Sequence, residues 1–156
     1  MSVIDLKVFH SIFERPEVAI DYGRVHYTKG INLEVICRLA YSSHAKRILE
    51  IGTALGDTTL RLAQACPCAE VVTVDVDKRI IPSHAKQYRE IPEPAQVGKV
   101  FQGKPEAARI KQVMIDSKGF DHSSLGTFDF IYIDGLHSYE GVLRDTAKAL
   151  DMINEG

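Results

Sequence analysis

Two short stretches concentrate the residue types that could do chemistry. In residues 48–60, ILEIGTALGDTTL, an apolar run carrying one acid, Glu50, meets Gly52 and Gly56 and then a helix-forming segment. Glycines at such a bend let a ligand approach the main chain, because no Cβ intervenes. In residues 128–145, FDFIYIDGLHSYEGVLRD, Asp134 closes an apolar run, Gly135 permits a sharp turn and His137 follows three positions on. A carboxylate there can bind a divalent cation, and an imidazole can take a proton from a hydroxyl or orient it. The plainer alternative is that Asp134 caps the next helical segment and Tyr139 packs against it.

The first stretch also says which ligands it disfavours. A GxGxxG dinucleotide turn would need glycines at 52, 54 and 57, where the chain has Gly52, Ala54 and Asp57. A pyrophosphate rests on a helix N-terminus, and Asp57 would set a second anion against it. No GxxxxGK[ST] phosphate loop occurs anywhere. Asp75 closes the next apolar run, 23 residues after Gly52, the position from which a carboxylate accepts hydrogen bonds from both ribose hydroxyls. Nearby Asp77 reads as a helix cap. A nucleoside bearing an amino-acid tail and a sulfonium suits this set: ribose on Asp75, tail at the glycine turn, ammonium near Glu50.

The elements that must position these residues follow from hydrophobic periodicity. Apolar runs at 47–51 (RILEI), 71–75 (VVTVD), 97–102 (VGKVFQ) and 128–134 (FDFIYID) read as strands, spaced widely enough for crossover helices. The first, second and fourth are apolar at consecutive positions, as in a parallel sheet covered on both faces. Helical patterns fall at 58–65, with Leu60, Leu62 and Ala63 inward, and at 82–90, 105–115 and 139–153. The last has Ser138 as N-cap and Val142, Ala149, Leu150 and Ile153 at helical spacing. Two further helices, 4–13 and 32–42, precede the first strand. Residues 91–95 and 118–127 read as loops. The expected fold is α/β, a Rossmann-like three-layer sandwich with a mostly parallel sheet. The whole of 1–156 forms one domain, with a helical or lid segment at 1–45 and a β-α core at 46–156.

Composition narrows the partners. Nineteen basic against 21 acidic side chains leave a net charge of −2, which offers no clustered attraction for nucleic acid phosphates. No stretch approaches the length of an apolar membrane span, and the amino terminus lacks a signal-peptide pattern. A cytoplasmic protein with no membrane partner is expected. Cys66 and Cys68 are too close for an ordinary structural zinc pair, and with Cys37 they read as reduced thiols.

The turn E50-I-G52-T-A-L-G56 resembles the ExGxxxG motif of the class I S-adenosylmethionine-dependent methyltransferases, and looks most like the small-molecule, metal-dependent O-methyltransferases. The resemblance implies cofactor contacts from Glu50, Gly52, Thr53, Gly56, Thr58, Asp75 and Asp134. Thr58 takes the place of the residue that holds the methionine carboxylate. Residues 27–36 are similar to the family's segment before the first strand, which implies contacts from Tyr27 or Thr28. The pattern IDGxHSYEGVxxD resembles the family's fourth motif. It implies Asp134 as metal ligand and His137 as base, with both at the catalytic centre, and magnesium as the cation where further ligands are supplied.

The chain departs from that pattern at its end. It stops at ALDMINEG, where a fifth strand carrying paired acids would begin, so the fold is expected to be truncated after the fourth strand and its following helix. Residues Gly103, Lys104 and Pro105 occupy what reads as the adenine-side motif of the third strand. The fourth strand becomes a sheet edge open to pairing, which favours a homodimer. The function implied is methyl transfer to a hydroxyl of a small-molecule acceptor. One alternative is a catalytically inactive domain that retains cofactor binding or serves assembly. Another is an NAD-dependent oxidoreductase, supported only by the strand-turn-helix and Asp75.

Overall fold

A computed structural model describes residues 31–81, 92–116 and 122–154 of the chain. Helix α1 (Ile31–Ser42) leads into strand β1 (Arg47–Ile51), helix α2 (Asp57–Ala65) and strand β2 (Glu70–Asp75). Strand β3 (Ile110–Met114), strand β4 (Phe130–Ile133) and helix α3 (Tyr139–Met152) complete the order. Every strand pairing among the described residues is parallel, and the strands lie in the order β3-β2-β1-β4. β1 and β2 are therefore the inner strands, which is why their sequences are apolar without alternation.

The two faces of the sheet bury separate clusters. Ile48 packs with Leu33, Cys37, Leu62, Ala63 and Val71 beneath α1 and α2. Leu49 and Ile51 pack with Val72, Val74, Phe128 and Met152 on the opposite face. The result is the three-layer Rossmann-like α/β sandwich that the sequence led us to expect. Because side chains alternate along a strand, Glu50 shares the face of Ile48. The sheet therefore sends a carboxyl toward α2.

Polar groups stitch the amino ends of the strands, away from the glycine turn. The Arg47 guanidinium donates to Glu70 Oε2 at 3.0 Å, to the Leu125 carbonyl at 3.0 Å and to the Thr127 carbonyl at 2.7 Å. Asp129 accepts from the backbone N–H groups of Lys46 and Arg47, and these bonds hold its carboxyl below the usual carboxylate range. Arg109 donates to the carbonyls of Ala63, Cys66 and Ala69, satisfying acceptors that the C-terminus of α2 leaves open.

The third strand is not where hydrophobicity placed it. Residues 97–102 form successive turns, and the segment 105–115 is no helix: it is a tight helical turn at Pro105–Arg109 followed by β3. Gly98 and Gly103 both adopt φ of +73°, which breaks an extended run. Val97 and Phe101 are apolar because both are buried, Phe101 with its ring against Gly56 in the turn after β1. β3 is an edge strand, and its half-exposed sequence IKQVM carries a weaker signal.

The last helix also differs from its reading. Ser138 caps α3 by accepting from the Gly141 N–H at 3.2 Å. Its buried face, however, is Gly141, Asp145, Ala149 and Met152. Val142, Leu150 and Ile153 are exposed, together with Tyr139 and Leu143. The spacing was helical, but it marks a second, outward apolar stripe. The expected helices at 4–13 and 82–90, Tyr27 and Thr28 lie outside the described residues, as do residues 118–121 of the expected loop.

Candidate functional site

The turn after β1 sits at the carboxyl ends of the inner strands, where open parallel sheets place ligands. Gly52 donates to the Val74 carbonyl at 2.8 Å, and Asp134 donates to the Ile51 carbonyl at 2.8 Å, so the chain leaves the sheet between β2 and β4. Gly52 has φ of +106°, and a Cβ there would lie 2.1 Å from the carbonyl oxygen of Asp134. Gly56, with φ of +92°, caps α2, and its Cβ would lie 2.6 Å from the Phe101 ring. Both glycines thus admit close neighbours from within the chain itself. Segment 97–101, unremarked as a site element in the sequence, clamps the turn. Gly98 N–H donates to the Ala54 carbonyl at 2.9 Å and Val100 N–H to the Leu55 carbonyl at 3.0 Å.

The acids are arranged in depth. Asp75 is half-buried; its Oδ2 accepts from the Ala54 N–H and its Oδ1 from the Val76 N–H, each at 2.7 Å. Burial pushes its carboxyl above the ordinary range while these bonds oppose the rise. Glu50 is only 1% exposed. Its Oε2 accepts from the Thr59 hydroxyl and, at 2.7 Å, from the Thr73 hydroxyl. Burial pushes the Glu50 carboxyl up to about 8; the two hydroxyls oppose this, and the charges of Asp134 and Asp75 add to it. Thr53 is buried with its hydroxyl 2.7 Å from that of Thr73, and Thr58 is buried in the first turn of α2. Glu50 therefore stands behind the turn, Asp75 laces it, and Asp134 flanks it.

The loop after β4 brings together the two residues the sequence paired. His137 Nε2 lies 3.2 Å from Asp134 Oδ1. Both are accessible: 81% of the His137 side chain and 35% of the Asp134 side chain remain exposed. Beneath them lies Asp145, unremarked in the sequence as a functional group. It is 1% exposed, and its Oδ2 would be 3.2 Å from a Cβ at Gly135. Its Oδ1, 3.7 Å from Arg144 Nε, makes no hydrogen bond among the described residues.

One expectation is not shown here and another is corrected. Among the described residues no group of three or more His, Cys, Asp or Glu stands together to hold a metal ion, whereas hard cations take six or more oxygen ligands. A divalent cation implied at Asp134 would take its remaining ligands from water, from substrate or from further residues. The carboxyl end of β3 is not at Gly103, Lys104 and Pro105 but at Ile115, whose N–H donates to the Asp75 carbonyl at 2.6 Å, with Asp116 next. The signal was present as an acid after an apolar pair, IKQVMID.

The geometry has counterparts among solved structures. A cofactor-bound protein from MTB, Rv0187, superposes with a TM-score of 0.63 at 24% identity over 96% of this chain and 59% of its own. The Bacillus cereus O-methyltransferase in complex with SAH gives 0.58 at 20% identity, covering 97% of this chain and 60% of its own. TomG from Streptomyces achromogenes, an O-methyltransferase in complex with SAM, gives 0.55 at 22% identity, covering 94% and 58%. The chain thus spans less than two thirds of the length of these three structures. No curated protein matches it. Residues 49–156, from the middle of β1 through α3, match the family described as a methyltransferase domain, and the chain belongs to that family.

Proposed function

We propose that this chain binds S-adenosylmethionine at the turn after β1 and directs its methyl group to a hydroxyl of a small molecule. The observation that carries the reading is the convergence of Asp75, Glu50 and Asp134 from three adjacent strands, β2, β1 and β4. The acidic side chains of Asp75 and Asp134 favour a nucleoside with cationic groups over the diphosphate of NAD, while Glu50, kept largely protonated by burial, anchors the turn through hydrogen bonds. In this reading Asp75 takes the ribose, and Thr58 at the start of α2 takes the carboxylate.

When bound, S-adenosylmethionine supplies an electrophilic methyl group on its sulfonium. The remaining steps belong to the chain's own residues. Asp134 Oδ1 accepts from His137 Nε2, which leaves Nδ1 as the basic nitrogen. That nitrogen takes the proton of an acceptor hydroxyl as its oxygen becomes the nucleophile. Asp134 steadies the imidazolium so formed. A second reading is a domain that binds cofactor without turnover, favoured by the exposure of His137 and by the lone carboxylate at the end of β4.

Titration calorimetry with S-adenosylhomocysteine and with NAD tests the binding. Saturable heat with the first and none with the second is expected. Asp75→Ala should weaken binding by about tenfold or more through the lost ribose bonds. A folded wild-type chain that binds NAD, or binds neither, overturns the proposal. Transfer of a labelled methyl group to a polyhydroxylated acceptor, lost in His137→Ala, separates the first reading from the second.

A further inference from the structure

Both ends of the glycine turn converge on one buried atom. Thr59, in the first turn of α2, donates directly to Glu50 Oε2. Thr53, at the start of the turn, reaches the same oxygen through Thr73, by contacts of 2.7 Å and 2.7 Å. A hydroxyl carries one proton, so Thr73, in donating to Glu50, must accept from Thr53. The chain of bonds is directional: Thr53 to Thr73 to Glu50, and Thr59 to Glu50. Thr59 and Thr73 are fully buried, and no bulk solvent can substitute for a lost partner. The neighbouring contacts meet the turn at its main chain: the Ala54 N–H donates to the Asp75 carboxylate, and the Ala54 carbonyl accepts from the Gly98 N–H. Among the described residues, the threonine hydroxyls are what tie the turn to Glu50.

We propose that Thr73 and Thr59 are positioning residues that pin the two ends of the 53–59 turn to Glu50 Oε2 and thereby set the affinity for the nucleoside cofactor. Glu50 then acts on the ligand through its hydroxyl partners and not by contact, which accounts for a carboxyl at the heart of a ligand turn being closed off from solvent. The proposal rests on the cofactor reading above.

The test uses the 156-residue chain, with S-adenosylhomocysteine as the probe in titration calorimetry and urea denaturation run in parallel. Thr73→Val keeps the shape and removes the hydroxyl; Thr73→Ser keeps the hydroxyl. The first should raise Kd about tenfold, and the second should return it to within about threefold of wild type. A role confined to stability would move the denaturation midpoint of both variants and leave their Kd values together, overturning the inference. So would a folded Thr73→Val with wild-type affinity. Should Thr73→Val fail to fold, Thr59→Val and Thr59→Ser read the other arm by the same criterion. A wild-type chain that binds no S-adenosylhomocysteine overturns the cofactor reading itself, whereas wild-type binding with no separation of the Val and Ser variants overturns this inference alone.

Discussion

The turn after β1 and the loop after β4 lie side by side, yet they are built on opposite plans. In the first, Glu50, Thr53, Thr58, Thr59 and Thr73 are all buried, and the clamping segment 97–101 bonds to the turn's main chain. In the second, His137 has 81% of its side chain exposed and touches Asp134 across a single 3.2 Å contact. A region that must hold one ligand in one pose benefits from rigidity fixed by its own partners. The difference teaches that, among the described residues, the turn after β1 is held by its own buried partners, whereas the loop after β4 presents Asp134 and His137 at the surface.

The contrast is most easily broken at Gly52. Gly52→Ala forces a left-handed backbone onto a residue with a Cβ and drives that Cβ against the Asp134 carbonyl. The expected cost is about 3 kcal/mol or more by urea denaturation, enough to threaten folding. Gly103→Ala is the control, because nothing lies within 4 Å of its Cβ position; strain alone should cost about 1 kcal/mol. Equal effects at the two sites would mean that the close approach to β4 is not what glycine serves.

Next in size is a pH effect confined to the buried side. The Glu50 carboxyl is raised from 4.5 to about 8 by burial. Its contribution to stability is therefore fully present below the unfolded value, declines as pH rises between the two values, and is flat above the folded one. Over that window the slope approaches about 1.4 kcal/mol per pH unit. Glu50→Gln should flatten this part of the profile in denaturation midpoints taken from about pH 5 to 9. A wild-type stability that climbs through the window would contradict the burial assigned to Glu50.

The smallest effect on stability belongs to the exposed side. His137→Ala should change unfolding free energy by no more than about 0.5 kcal/mol, since it removes one surface contact. Methyl transfer, where an acceptor is found, should fall by about a hundredfold or more. A large loss of stability would show that the loop after β4 is as tightly built as its neighbour.

The architecture was legible where burial and sequence period agreed. β1 and β2 are inner strands with apolar residues on both faces, and α2 places Leu60, Leu62 and Ala63 inward as its spacing requires. The third strand was misread because Val97 and Phe101 are buried without being extended, and the true edge strand carries Lys111 and Gln112. α3 was misread because helical spacing reports that a stripe exists and says nothing of which stripe meets the sheet. At the site, Asp134 and His137 came together as their separation of three predicts. Thr73 was invisible as a partner of Glu50, because their meeting depends on the register of β1 with β2, which pairs Glu50 beside Thr73, and on Thr59 arriving from above.

The contact between the Gly52 α-carbon and the Asp134 carbonyl involves no side chain on either partner. Side-chain changes at Leu136 or His137 would leave it untouched, because the close approach is made by main chain alone. A one-residue slip of β4 along β1 would not be forgiven. The shared frame of the two strands fixes where the side chains that follow them stand.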